Sequence, residues 1–266
     1  MNHVTAAGER YLPLEGGCNF RDIGGYAAAG GRRVRWGRVY RAGVLSYFTP
    51  ADAARLAPLG VRAICDLRRA DEREREPTRW PTAEASVLCW EDGPAPPAVT
   101  GRLARRHADA AAMRQAMIDM YRDLPRWIAP RVRGLFECVA NERLPVVVHC
   151  SAGKDRTGFT IAVLLAALGV DEQTILQDYL YTNEVGHFDE FVQRRRVARL
   201  GLSDERHPLS RMAPELRQVL FAADADYLGA ALQQLEHEFG GALGYLRELV
   251  GIGAPELAQL RASLLE

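Results

Sequence analysis

Short apolar segments alternate with segments of helical periodicity in the part of the chain before Cys150. Apolar runs this short are typical of buried strands, and helices placed between strands favour a parallel sheet. The predicted strands are residues 39–40, 61–67, 86–90 and 145–149.

Helical patterning dominates the chain after Arg156. Thr49-Pro50 also has the cap and first-position proline of a helix start. We expect Pro125 and Pro130 to interrupt the helical pattern between residues 104 and 140. The predicted helices are residues 104–122, 127–140, 157–168, 171–183, 185–200, 213–222, 225–238, 241–250 and 254–265.

This order of elements predicts an α/β fold, with a mostly parallel sheet of about four strands flanked by helices. A helical C-terminal part covers residues 171–266, and the absence of a convincing linker predicts one domain over residues 1–266. The Gly- and Pro-containing segment 91–105 has no pattern of its own, and long segments of this kind are often lids or disordered. The charged run 68–76 is interpreted as a solvated helix face.

Composition excludes several classes of protein. The 34 basic and 34 acidic residues balance, so no global charge points to nucleic acid or to an anionic membrane. No apolar stretch is long enough to span a bilayer, and the N-terminus lacks a signal peptide, so the default expectation is a cytoplasmic protein. Five scattered cysteines form no disulfide framework or zinc motif, and no metal or other cofactor is expected; they are Cys18, Cys65, Cys89, Cys138 and Cys150.

The chemistry is concentrated in the segment 149–158, His-Cys-Ser-Ala-Gly-Lys-Asp-Arg-Thr-Gly. It follows an apolar strand and precedes an apolar helix, so its backbone N–H groups and the helix N-terminus form a phosphate cradle. Arg156 is suited to grip two phosphate oxygens, and the same field favours the reactive thiolate form of Cys150. Lys154, the only lysine of the chain, is predicted to be a second anion contact. The phosphate-binding loop therefore comprises Ser151, Ala152, Gly153, Lys154, Asp155 and Arg156.

The leaving oxygen of a phosphate ester requires a proton donor, and a nearby carboxylic acid is the usual one. Asp155 within the loop and Asp92 after the strand 86–90 are equally weighted candidates, and Glu91 is a weaker third. His149 is expected to bond the loop backbone, and Thr157 either donates to the thiolate or caps the helix.

The segment resembles the signature loop of cysteine-dependent protein tyrosine phosphatases, and its Lys-Asp-Arg variant is similar to the bacterial tyrosine/serine phosphatase branch. The resemblance extends over most of the chain, and it implies a helical lid (about residues 91–125) and no metal requirement. It further implies phosphotyrosine, phosphoserine/threonine or phosphoinositide substrates, and secretion without a signal peptide occurs in such a family. The matching elements are residues 19–22, 37–41, 66–68 with Glu72, 121–122, 178–180 and 244–247.

Several residues receive structural interpretations beside this chemistry. Asp66 and Arg68 are expected to support the loop, while Arg21 and Asp22 are expected to form an ion-paired turn. Cys65 and Cys89 are interpreted as core residues, with a protective disulfide from Cys150 to one of them as a minor alternative. A non-catalytic module that binds phosphorylated ligands and a sulfur- or arsenate-handling enzyme are the rival functions.

Overall fold

The structure of the protein is a computed structural model that describes residues 9–91, 109–188 and 212–266. The candidate acid Asp92 lies outside the described residues. Residues 92–108 of the predicted lid segment and most of the predicted helix 185–200 also lie outside them.

A five-stranded sheet forms the centre of the described fold. Its strands are β1 (Arg21–Asp22), β2 (Val39–Ala42), β3 (Ala63–Asp66), β4 (Ser86–Leu88) and β5 (Val146–His149). The spatial order is β1-β2-β5-β3-β4, and only the β1–β2 pairing is antiparallel. The predicted α/β class with a mostly parallel sheet is confirmed. The prediction of about four strands lacked β1, because two charged residues give no apolar alternation.

Helices surround this sheet. They are α1 (Pro50–Leu56), α2 (Ala70–Arg75), α3 (Ala110–Ala140), α4 (Asp155–Leu168), α5 (Glu172–Leu180), α6 (Thr182–Val185), α7 (Pro214–Phe221), α8 (Ala225–Phe239), α9 (Ala242–Tyr245), a π-helical turn (Leu246–Val250) and α10 (Ala254–Leu264). Short 3₁₀ turns occupy Ala29–Gly31 and Ala57–Leu59. As predicted, Thr49 caps α1, and its hydroxyl accepts the Asp52 N–H at 3.2 Å.

The predicted interruption of helix α3 is wrong. α3 runs without a break from Ala110 to Ala140 and contains both Pro125 and Pro130. Each proline removes one helical hydrogen bond, at a cost of about 3 kcal/mol. The helix buries apolar side chains before and after both prolines, and burial of a large apolar side chain contributes about 1.5–3 kcal/mol. Tertiary packing of this face therefore outweighs the local penalty.

Strand β5 lies in the middle of the sheet, and all four of its residues are buried. Val146 and Val148 face the larger core, which α3 and α4 cover, whereas Val147 faces the smaller core beside α1. Helices α8 and α10 pack against α3 and α4. Packed side chains therefore cover both faces of β5 up to its carboxyl end, where the segment that contains Cys150 begins.

The charged run 68–76 is only partly a solvated helix face. Asp71 and Glu74 are exposed on α2, but Arg68 is fully buried and Glu72 is half-buried. The linear pattern of charges shows no sign of this division. Arg68 pairs with Asp66 at the end of β3, and Glu72 pairs with Arg156, which is 84 residues away.

Candidate active site

Cys150 lies at the junction between the central strand and helix α4. It follows β5 directly and is 1% exposed, and α4 begins five residues later at Asp155. The first-turn N–H groups of a helix have no partner within the helix and carry partial positive charge. The strand end, loop and helix start that the sequence predicts thus follow one another at Cys150.

Gly153 allows this loop to approach β2 closely. Its φ is +68°, in the left-handed region, and a Cβ there would lie 2.4 Å from the Ala42 carbonyl oxygen. Both the backbone conformation and the available space therefore restrict this position to glycine.

Arg156 is already held in a defined orientation. Its Nη1 and Nη2 donate to the two carboxylate oxygens of Glu72 at 2.6 and 2.9 Å, and the Ser151 hydroxyl donates to Glu72 at 2.6 Å. Burial acts to raise the pKa of Glu72, but Arg156 outweighs burial and holds that pKa well below its usual value. The guanidinium plane is thus fixed beside Cys150, with further N–H donors left for an anion.

The sequence places Glu72 in a motif that resembles the family, but it indicates no role for Glu72 at the site. The signal was its position in the Asp-Leu-Arg-x-x-x-Glu element, which brings an acid one turn into α2. The structure makes Glu72 the partner of Arg156.

A buried polar network supports the loop from behind. Asn19 is fully buried with a φ of +57°, and its side-chain amide donates to the carbonyls of Ala152 (3.2 Å) and Gly153 (2.9 Å). Arg41 Nη2 donates to the same Gly153 carbonyl at 2.9 Å. These bonds hold the carbonyls of Ala152 and Gly153 and so fix the backbone of the loop.

Asp178 on α5 holds the arginines of this network. Arg41 pairs with one of its carboxylate oxygens, and Arg21 Nε lies 3.3 Å from the other. Burial acts to raise the pKa of Asp178, but the charges of Arg41 and Arg21 lower it to about 2. The predicted Arg21–Asp22 ion pair is wrong: Arg21 pairs with Asp178, while Asp22 accepts the N–H groups of Gly24 and Gly37 at 2.7 and 2.6 Å. A pairing partner more than 150 residues away leaves no local signal in the sequence.

His149, Asp66 and Arg68 form a second buried group beneath the loop. Arg68 donates to both oxygens of Asp66 at 2.8 and 2.7 Å, and His149 Nε2 lies 3.5 Å from the same carboxylate. His149 Nδ1 lies 3.3 Å from the carbonyl oxygen of Cys150. This arrangement connects the imidazole to the loop backbone.

Lys154 has partners that the sequence did not indicate. Its ammonium is 1% exposed and donates to the carbonyls of Leu220 (2.7 Å) and Ala222 (2.9 Å) at the end of α7. It also lies 3.2 Å from Asp155 Oδ1. Two hydrogen bonds and one ion pair hold the ammonium, so contact with a substrate anion would require some of these contacts to break.

Thr157 and Asp155 lie on the first turn of α4. The residue that caps α4 is Lys154, so Thr157 does not act as the cap. The Thr157 hydroxyl is buried and has no hydrogen-bond partner among the residues that the structure describes. The Asp155 side chain is 26% exposed, and Tyr121 donates to it at 2.8 Å.

No disulfide joins Cys150 to another cysteine. All five are free thiols, and Cys89 is exposed rather than in the core as predicted. The contact with Cys138, together with burial, raises the pKa of Cys65 well above its usual value. This neighbour places the Cys65 thiol against α3.

The described residues contain neither a metal-binding cluster nor a membrane-spanning helix. Over residues 9–91, 109–188 and 212–266, no group of three or more His, Cys, Asp or Glu side chains is arranged to hold a metal ion. Within the same ranges no helix is long and apolar enough to cross a membrane.

The chain is similar to known proteins along nearly its whole length. The sequence profile of the tyrosine phosphatase family matches residues 12–266. A "Putative tyrosine-protein phosphatase" of Cupriavidus necator is 34% identical, over 98% of this chain and 91% of that protein. The "Triple specificity protein phosphatase PtpB" of Mycobacterium tuberculosis is 32% identical, over 95% of this chain and 98% of that protein. A tyrosine-protein phosphatase of Nostoc commune is 29% identical, over 83% of this chain and 71% of that protein.

Proposed function

Because this chain belongs to the tyrosine phosphatase family, we propose that it hydrolyses phosphotyrosine, and also phosphoserine or phosphothreonine, through a phosphocysteine intermediate. The observation that carries this proposal is the position of Cys150 at the start of α4 beside Arg156, which Glu72 holds in place. The breadth of specificity is supported by the similarity to a phosphatase named for triple specificity.

In the first step the Cys150 thiolate attacks phosphorus. The S–P bond forms while the P–O bond to the leaving group breaks, and the leaving oxygen takes a proton from a carboxylic acid. Arg156 and the loop N–H groups balance the charge on the equatorial oxygens, which is the main catalytic contribution expected for phosphoryl transfer. Water then attacks phosphorus and gives a proton to the carboxylate left by the first step. The S–P bond breaks, which releases inorganic phosphate and returns the Cys150 thiolate.

Thr157 has a role in this scheme that its surroundings support. A buried hydroxyl without a partner costs about 1–3 kcal/mol, which is a reason to expect a ligand-dependent partner. We assign it as a hydrogen-bond donor to the Cys150 sulfur when that sulfur leaves phosphorus in the second step.

Asp155 is our first choice as the acid. It lies in the loop, and part of its side chain is open to solvent. Asp92 remains the alternative. Asp155→Asn and Asp92→Asn variants separate them, because loss of the acid slows esters with poor leaving groups far more than activated esters. We expect this selective loss in Asp155→Asn, and its appearance in Asp92→Asn instead would transfer the role.

The enzyme proposal is tested by hydrolysis of p-nitrophenyl phosphate in EDTA. We expect turnover by the wild type and none by Cys150→Ser, whereas Cys138→Ser, a buried cysteine outside the loop, keeps wild-type activity. A wild type that binds a phosphotyrosine peptide without turnover would be the non-catalytic binding module. A Cys150→Ser variant with full activity would refute the covalent mechanism.

The substrate range requires direct comparison. We propose that phosphorylated proteins are the partners and that phosphoinositides are further substrates. A panel of phosphotyrosine peptide, phosphoserine peptide and phosphoinositide tests this, and turnover of the tyrosine peptide alone would restrict the enzyme to one class.

A further inference from the structure

The two oxygens of the Asp155 carboxylate have different surroundings. Oδ1 lies 2.8 Å from the Tyr121 hydroxyl and 3.2 Å from the Lys154 ammonium. Oδ2 has no hydrogen bond from any residue that the structure describes. One oxygen is thus anchored on the protein, while the other is left for a proton.

Tyr121 is a rigid anchor. It is fully buried on α3, and its ring packs against Tyr179 and Tyr227 with centroid separations of 6.3 and 5.7 Å. Its hydroxyl also lies 2.7 Å from the Tyr179 hydroxyl. An ionised carboxylate only accepts, so Tyr121 donates to Asp155 and Tyr179 donates to Tyr121. Burial, followed by the charge of Asp155, raises the pKa of Tyr121 well above its usual value, so this hydroxyl keeps its proton.

We propose that Tyr121 is a positioning residue for proton donation, which fixes Oδ1 of Asp155 so that Oδ2 carries the proton given to the leaving oxygen. This inference rests on the proposed function and on Asp155 as its acid. As the P–O bond breaks, the proton moves from Oδ2 to the leaving oxygen and Asp155 becomes a carboxylate. Tyr121 donates to that developing charge, and a hydrogen bond to a charged group is stronger than one to a neutral group.

The test uses a series of aryl phosphates from 2,4-dinitrophenyl to phenyl phosphate. The quantity measured is kcat/KM, because it reports the step in which the leaving group departs. General acid catalysis contributes typically about 10²–10⁴-fold, so loss of one anchor is expected to cost about 10-fold with phenyl phosphate. Tyr121→Phe should change the dinitrophenyl ester by less than about twofold, because that leaving group needs little protonation.

Tyr245→Phe is the matched control. Tyr245 is also fully buried, and its hydroxyl donates to the Pro125 carbonyl of the same helix α3 at 2.8 Å. Its loss removes a core hydroxyl without touching Asp155, so we expect the wild-type dependence on leaving group. Equal losses by Tyr121→Phe on all esters would show a merely structural role and overturn the proposal.

The double variant Tyr121→Phe/Asp155→Asn distinguishes the role of Tyr121 from the role of Asp155 as the acid. If Tyr121 acts through Asp155, the double variant loses no more phenyl phosphate activity than Asp155→Asn alone. Additive losses overturn the Tyr121 proposal and leave the Asp155 assignment intact. An Asp155→Asn variant with the same fractional loss on every ester overturns both, and a wild type without turnover overturns the proposed function itself.

Discussion

Substitution of Asp178 by asparagine tests whether the buried ion cluster supports the catalytic loop. The carboxylate is 2% exposed, pairs with Arg21 and Arg41, and accepts the Tyr26 hydroxyl at 3.0 Å. Asparagine preserves the shape of the side chain but removes the negative partner that two fully buried guanidinium groups share among the described residues.

The magnitude follows from the pKa of Asp178, which is lowered from 3.8 to about 2. At about 1.4 kcal/mol per pKa unit, the carboxylate contributes about 2 kcal/mol at neutral pH. Removal of one partner of a buried ion pair typically lowers the free energy of unfolding by more, about 3–5 kcal/mol. We therefore expect Asp178→Asn to lose about 3–5 kcal/mol, which corresponds to a Tm lower by about 6–20 °C in a chain of this size.

The stabilisation by Asp178 should change with pH in a direction that can be checked. Because the pKa of Asp178 is lower in the folded state, its stabilisation is complete above the unfolded value of 3.8 and is lost as the pH falls through about 2. The difference in Tm between wild type and Asp178→Asn should thus shrink over this interval, since a protonated aspartic acid resembles asparagine. Thermal melts monitored by circular dichroism between pH 7 and pH 2 measure it.

Asp171→Asn is the matched control on the same helix. Asp171 caps α5 from an exposed position, and asparagine caps helices about as well as aspartate. We expect its Tm to change little. A loss below about 1 kcal/mol in Asp178→Asn, independent of pH, would refute the reasoning. Asp178→Asn should also lower kcat/KM by about 10-fold or more. Asp178 pairs with Arg41, and Arg41 holds the loop carbonyl of Gly153.

Three further substitutions test individual contacts of the site. Glu72→Gln removes the charge that orients Arg156 and should lower kcat/KM about 10-fold, whereas Glu74→Gln on the exposed side of α2 should change it less than about twofold; equal effects would refute the orienting role. Lys154→Met removes the donors to the end of α7 and should speed amide hydrogen exchange there, so an unchanged exchange pattern would count against this contact. Gly153→Ala places a Cβ 2.4 Å from a β2 carbonyl and should abolish p-nitrophenyl phosphate hydrolysis, while Gly30→Ala, at a similar φ in open space, should leave it intact.

The strand, loop and helix around Cys150 could be predicted because their signals are local. Five apolar residues, a glycine-containing turn and an apolar helix occupy one continuous segment around Cys150. Hydrophobic periodicity and backbone conformational preference act over a few residues, so they determine a strand, a turn and a helix without knowledge of the remaining fold. The resemblance of the loop to a known signature adds its chemistry to that local prediction.

The partners of the charged residues could not be predicted in the same way. Lys154 and the end of α7 are more than 60 residues apart, and Arg21 and Asp178 are more than 150 residues apart. From the sequence pattern alone, such charges are expected in turns, in solvent or against a substrate. The reason is that an isolated charge is more stable in water than in a protein interior. Only a partner supplied by a distant element reverses that preference.

By itself, then, the sequence determined the α/β class and the strand-loop-helix unit around Cys150. Three features depend on the tertiary structure: α3 continues across two prolines, Glu72 orients Arg156, and Lys154 binds backbone carbonyls. The physical reason is the range of the forces involved. Local propensity is encoded in neighbouring residues, whereas burial and pairing of charge depend on surfaces that meet only when the chain has folded.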